Sequence, residues 1–134
     1  MGVAYSVDGE RGMVCTRGWG ELTTEDLQRM YRVMLTDPRI RPGFRQLADW
    51  RDITTMSVDR CAVREAAQSH VFGAHVRRAI VVASDVAYGI ARMFATYSDD
   101  AGQDVAVFQD MASARLWLEG ARLYRTQENH GPRR

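Results

Sequence analysis

The chain has no lysine: all 18 of its basic residues are arginine. That excludes every mechanism needing a lysine, Schiff-base chemistry and the phosphate-loop lysine included. We read it as the codon bias of a GC-rich, bacterial genome, and not as a phosphate-binding surface. Cysteine is nearly absent too. Cys15 and Cys61 stand in no metal-like spacing, which argues against a disulfide scaffold and a zinc site. No run approaches the roughly 18 consecutive apolar residues of a membrane helix, and residues 1–8 lack the basic and apolar blocks of a signal peptide. The expected location is therefore cytoplasmic, with no membrane span. A GxSxG elbow and Cys-His-rich segments are missing as well, so no nucleophile is marked out.

What remains is the composition of an ordinary globular chain: 134 residues, 46% hydrophobic and 26% charged, with a net charge of +1. That length suits one domain and is too short for two with separate cores. The charge is unevenly placed. Arg122, Arg125, Arg133 and Arg134 against Glu128 leave the last fifteen residues at +3, and the rest of the chain at −2. A near-neutral body with a basic tail is a poor nucleic-acid binder. We expect a domain over residues 1–120 and a basic, partly disordered tail over 121–134.

Apolar periodicity then lays out the elements. Ala4 to Asp8 and Met13 to Gly18 read as strands of a hairpin turned by Asp8-Gly9 and Gly12. Thr23 is a natural N-cap, with Asp26 at the capping-box position and Leu22 able to staple onto Leu27. Leu27, Met30, Tyr31 and Met34 repeat as one helix face, and Asp37-Pro38 ends it. After a turn-rich stretch from Arg39 to Gly43, Phe44 to Trp50 reads as a third strand and residues 51–57 as a polar loop. Val63, Ala66, Ala67, His70, Val71 and Ala74 mark a second helix, and Ala79 to Ala83 a buried strand. Ser84 or Asp85 caps a third helix whose inner face is expected at Val86, Ile90, Met93, Phe94 and Tyr97. Asp104 to Phe108 is the fifth strand. Asp110 caps a fourth helix carrying Ala114, Trp117 and Leu118, ending at Gly120 or running on through Tyr124. The order ββαβαβαβα implies one α/β domain: a five-stranded, mostly parallel sheet with an N-terminal antiparallel hairpin and about four helices.

The run from Val105 through Gln109-Asp110 to Trp117-Leu118 resembles the closing strand and helix of SpoIIAA-like proteins, within the STAS/SEC14-like group. Gly20 to Asp26 resembles that group's approach to its first helix, and Asp37-Pro38 and Leu47-Ala48-Asp49 match further positions. The resemblance implies stacked β-α turns and a role in binding or regulation instead of catalysis. In the anti-sigma-factor antagonists of that group, a serine in an Asp-Ser-Ser-Gly segment is phosphorylated by a partner kinase. The corresponding stretch here is Thr54-Thr55-Met56-Ser57-Val58-Asp59, without the preceding acid or the following glycine. We expect no phosphorylation switch.

Open α/β sheets bind ligands beyond the carboxyl ends of their strands. That rim offers Asp49, Asp52, Ser84, Asp85 and Asp110, and Thr54, Thr55 and Ser57 are the further ligand or regulatory candidates. The carboxylates could hold a divalent metal or form a phospho-acceptor pocket, giving a small metal-dependent enzyme as the alternative. The plainer reading makes Asp85 and Asp110 helix caps, Asp49 and Asp52 loop starts, and Ser57 the cap of the second helix. No metal and no cofactor is expected. Gly18-Trp19-Gly20 is a lone GxG, better read as a turn. His70 and His75, five residues apart, lack the spacing of a helical metal pair, and Met1-Gly2 matches a myristoylation pattern only formally. The Met- and aromatic-rich set of Met30, Met34, Trp50, Met56, Tyr88, Met93, Phe94 and Tyr97 is either core or a cleft for a small apolar ligand. Ala87, Ala91 and Ala95, bordered by Tyr88 and Arg92, give the third helix a narrow face where a second copy could approach. A homodimer through that helix, a protein partner or an apolar ligand are the expected associations of a non-catalytic binding or regulatory module.

Overall fold

Asp8 turns the opening hairpin, its carboxylate accepting the N–H groups of Glu10 and Arg11 at 3.1 Å each. Gly12 completes the turn at φ 63°, a conformation glycine adopts without a Cβ clash. The computed structural model describes residues 2–119. The hairpin joins β1 (Gly2–Asp8) antiparallel to β2 (Met13–Thr23). The second strand runs five residues further than its sequence suggests, so Gly18-Trp19-Gly20 is strand and not turn. A long parallel neighbour, β3 (Arg45–Ser57), continues beside it, and register shifts at Arg17/Trp19 and Gly20/Glu21 absorb the glycines.

The capping box at Thr23 forms as expected. Its hydroxyl accepts the Asp26 N–H at 3.1 Å, and the Asp26 carboxylate accepts the Thr23 N–H at 3.3 Å. Such a cap stabilises a helix by about 1 kcal/mol. It starts α1 (Thr24–Leu35), which buries Leu27, Met30, Tyr31 and Met34. Asp37, just beyond, accepts from the Tyr5 hydroxyl at 2.7 Å and from Arg39 Nη2 at 2.8 Å, tying the end of α1 to β1.

β3 then runs through Ser57, where the sequence suggests a loop after Trp50. Its second half is polar because only Ile53 and Met56 turn inward, while Arg51, Asp52, Thr54 and Thr55 face solvent. Asp59, not Ser57, caps α2 (Arg60–Ala67), accepting the Ala62 N–H at 2.8 Å. That helix stops at Ala67. Val71 and Phe72 pack on the core from the turn that follows, so the apolar signal outlasts the helix, and His70 lies exposed in that turn. His75 takes a left-handed φ of 66° in the connection to β4 (Arg77–Val81).

Ser84 caps α3 (Asp85–Asp100), accepting the Ala87 N–H at 3.1 Å. Its inner face differs from the expected one. Ala87, Ala91, Phe94, Ala95 and Ser98 are buried, whereas Val86 is 64% exposed and Ile90, Met93 and Tyr97 lie at the core's edge. Small residues seat this helix closely on the sheet. β5 (Asp104–Phe108) and α4 (Met111–Glu119) complete the described chain, and α4 buries the expected Ala114, Trp117 and Leu118. Gly120, Tyr124 and the tail over 121–134 lie outside the described residues.

The sheet order is β1-β2-β3-β4-β5, with the first pair antiparallel and the rest parallel. Alternating strand residues divide between two cores. Val14, Ala48, Ile80 and Val105 face α1, α2 and α3, while Met13, Leu47, Ala79 and Ala106 face α4. Each large side chain so buried contributes roughly 1.5–3 kcal/mol. Arg45 and Arg77, at the starts of β3 and β4, donate to the Leu118 and Trp117 carbonyls at 2.6 and 3.0 Å. These cations hold the carboxyl end of α4, where the helix dipole is negative. Among the described residues no helix is long and apolar enough to cross a membrane.

Candidate functional site

Three of the four rim carboxylates are engaged locally. Asp49 accepts from Arg51 Nε and Nη2, both at 2.9 Å, and those bonds hold its carboxyl below the usual range. Asp52 accepts from Arg17 Nη2 at 3.1 Å, and the Arg17 guanidinium lies 4.9 Å from the centre of the Trp19 ring. Neither acid begins a loop, since both stand within β3. Asp110 is held by the backbone N–H and hydroxyl of Ser113, at 2.7 and 2.9 Å, which lower its pKa. Asp85 is the exposed first residue of α3, behind the capping Ser84. Among the described residues no three His, Cys, Asp or Glu side chains stand together as a metal site.

The threonines and serine differ from their expected setting. Thr54 and Thr55 are exposed on a strand. Ser57 donates its hydroxyl to Glu21 Oε2 at 2.7 Å across the β2–β3 pair and caps no helix. On α3, Ala87, Ala91 and Ala95 are turned into the core and offer no face to a second copy. Only the border of that expected interface is accessible. Tyr88 is half-buried, and its hydroxyl accepts from the exposed Arg92 at 3.0 Å. Of the Met- and aromatic-rich set, Met30, Met34, Trp50 and Phe94 are core, and Trp50 meets Phe94 edge-on at 6.3 Å.

A cleft lies between α1 and α2. It has a volume of about 400 Å³. Leu27, Tyr31 and Leu35 line one wall at i, i+4 and i+8, and Ala62 and Ala66 line the other. The alanines keep that wall low. Gln28 and Arg32 rim it on the first helix, Glu65 on the second, and Ser69 and His70 in the turn after that helix. Leu35 is 57% exposed, a large apolar side chain left at the cleft's edge.

Beneath Tyr31 lies the least expected group of the molecule. Arg78, on β4, is 0% exposed and has no carboxylate partner among the described residues. Its Nε donates to Gln46 Oε1 at 2.8 Å, its Nη1 to Gln103 Oε1 and to the Ala67 carbonyl, and its Nη2 to the Tyr31 hydroxyl at 2.7 Å. The Phe72 and Phe94 rings flank it at 4.5 and 4.9 Å. Burial lowers its pKa, the lost hydration outweighing the opposing contribution of Tyr31. The sequence carries a signal for this residue in the parity of β4: Arg78 alternates with Ile80 and so shares its inward face.

Neither a family model nor a curated protein matches the sequence. A solved structure does. The crystal structure of an uncharacterized protein of the DUF3478 family from Shewanella loihica PV-4, described as having a SpoIIAA-like fold, superposes with a TM-score of 0.61. The match covers 87% of this chain and 94% of that one at 18% identity, a level that speaks for architecture alone. With its antiparallel first strand pair, parallel remainder and four helices, this chain has a SpoIIAA-like fold.

Proposed function

We propose that this protein is a non-catalytic binding module that takes a small apolar ligand between α1 and α2. The observation that carries the reading is the cleft itself. Its volume of about 400 Å³ falls within the ~300–1,000 Å³ typical of small-molecule sites. Its walls are apolar, its polar groups sit at the rim, and two helices form both of its walls. A metal-dependent enzyme on the carboxylate rim is less well supported. Asp49, Asp52 and Asp110 are each engaged by a neighbouring side chain, and an ion would have to compete with those contacts.

Titration of the isotope-labelled protein with decanol, followed by amide NMR shifts, tests this reading. Saturable shifts are expected along residues 27–35 and 62–70, weakened by Leu35→Gln. No saturable shift at millimolar decanol, or shifts confined to α3 or α4, would overturn it.

A further inference from the structure

The groove reading can be carried to a ligand class, and the following rests on that reading. A guanidinium has five N–H donors. Four of those of Arg78 are used, by Gln46, Gln103, Ala67 and Tyr31, and one on Nη2 has no acceptor among the described residues. Tyr31 is in the same position. Its oxygen accepts from Arg78, and its own proton finds no acceptor among the described residues. Tyr31 is also among the residues that line the groove. A buried cation with no anionic partner among the described residues therefore lies behind a phenol whose proton has no acceptor there, and that phenol's side chain lines an apolar cleft.

A compact anion carried on an apolar body meets all three conditions. We propose that the α1–α2 groove takes a medium-chain carboxylate. Its carboxylate accepts the Tyr31 O–H with the Arg78 charge behind, and its chain runs from there along Ala62 and Ala66 and past the exposed Leu35. Tyr31 stands midway between Leu27 and Leu35, about 6 Å along the axis from each, so the head sits at the middle of the groove and the chain leaves by one end. Arg32 and His70 at the rim are compatible with an anion. Glu65, on the α2 side, is the one acid lining the groove, and it disfavours a doubly charged phosphate head more than a single carboxylate.

Calorimetric titration of the full chain at pH 8 with decanoate and with decanol tests the proposal. The unaltered protein should bind decanoate at least about tenfold tighter than decanol, because a hydrogen bond to a charged group adds to the shared apolar contact. Tyr31→Phe should weaken decanoate about tenfold and decanol by clearly less. Equal affinity of the unaltered protein for the two, or equal weakening of both by Tyr31→Phe, overturns the carboxylate and leaves the apolar groove standing. Binding of neither removes both. The comparison in the unaltered protein needs no variant to fold.

Discussion

Arg78 and Tyr31 stand 47 positions apart in the chain, and the guanidinium Nη2 donates to the phenolic oxygen at 2.7 Å. That bond joins β4 to α1 across the larger core and places a charge where neither element's local sequence calls for one. Its neighbours are amide oxygens and ring faces, so geometry and not mere charge satisfies the group.

Arg78→Lys should therefore be destabilising although it conserves charge. An ammonium on a thinner stem cannot reach Gln46, Gln103 and Tyr31 together, and it forfeits the flat stacking between Phe72 and Phe94. A loss of about 2–4 kcal/mol in urea unfolding is expected. A variant within 0.5 kcal/mol, roughly the scatter of neutral surface changes, would show that the fork geometry is dispensable.

Ala91→Glu should unfold the protein and not split a dimer. Ala91 is 0% exposed against the sheet, so a glutamate there meets both overpacking and an unpaired buried charge. A destabilisation of at least about 3 kcal/mol is expected by thermal or urea unfolding. A native-like melt together with a lower sedimentation coefficient would restore the helix as a contact between copies.

Acid stability should depend on Asp37. The paired bonds from Arg39, then the Tyr5 hydroxyl, hold its carboxyl well below the usual carboxylate range. A depressed folded-state pKa stabilises above the unfolded value of about 3.9, and the contribution is lost as pH falls towards the folded value. Asp37→Asn should thus cost stability at pH 7 and show a shallower decline below about pH 4 than the unaltered chain. Parallel pH profiles for the two would contradict this.

Ser57→Asp, a mimic of phosphorylation, should weaken the β2–β3 end instead of strengthening a helix. The new carboxylate would face Glu21, which now accepts the Ser57 hydroxyl. About 0.2–1 kcal/mol of destabilisation is expected for like charges on neighbouring strands, with Ser57→Ala closer to neutral. A stabilised Ser57→Asp would return Ser57 to the role of a cap.

The parts of this fold that the sequence announces are those fixed by local chemistry. Thr23 and Asp26 form their box, Asp37-Pro38 follows the end of α1, and β5 spans Asp104–Phe108 as its apolar run indicates. The departures have non-local causes. The second half of β3 looks like a loop because a strand beyond the reach of β4 needs only one apolar face, and β2 supplies its partner. On α3 the large residues suggest the buried stripe, but close seating on the sheet selects Ala87, Ala91 and Ala95. The site is the least legible part. Asp49, Asp52 and Ser57 carry the residue types of chemistry yet are engaged with Arg51, Arg17 and Glu21. Tyr31 reads only as a helix-face residue, and its meeting with Arg78 depends on how α1 packs beside α2 on the sheet.

The most direct measurement is a crystal structure of the protein grown with decanoate. An extended chain should lie between α1 and α2, with a carboxylate oxygen about 2.5–3.0 Å from the Tyr31 hydroxyl. Decanoate bound elsewhere with this groove empty, or seated in it with its carboxylate turned out to solvent, would contradict the account.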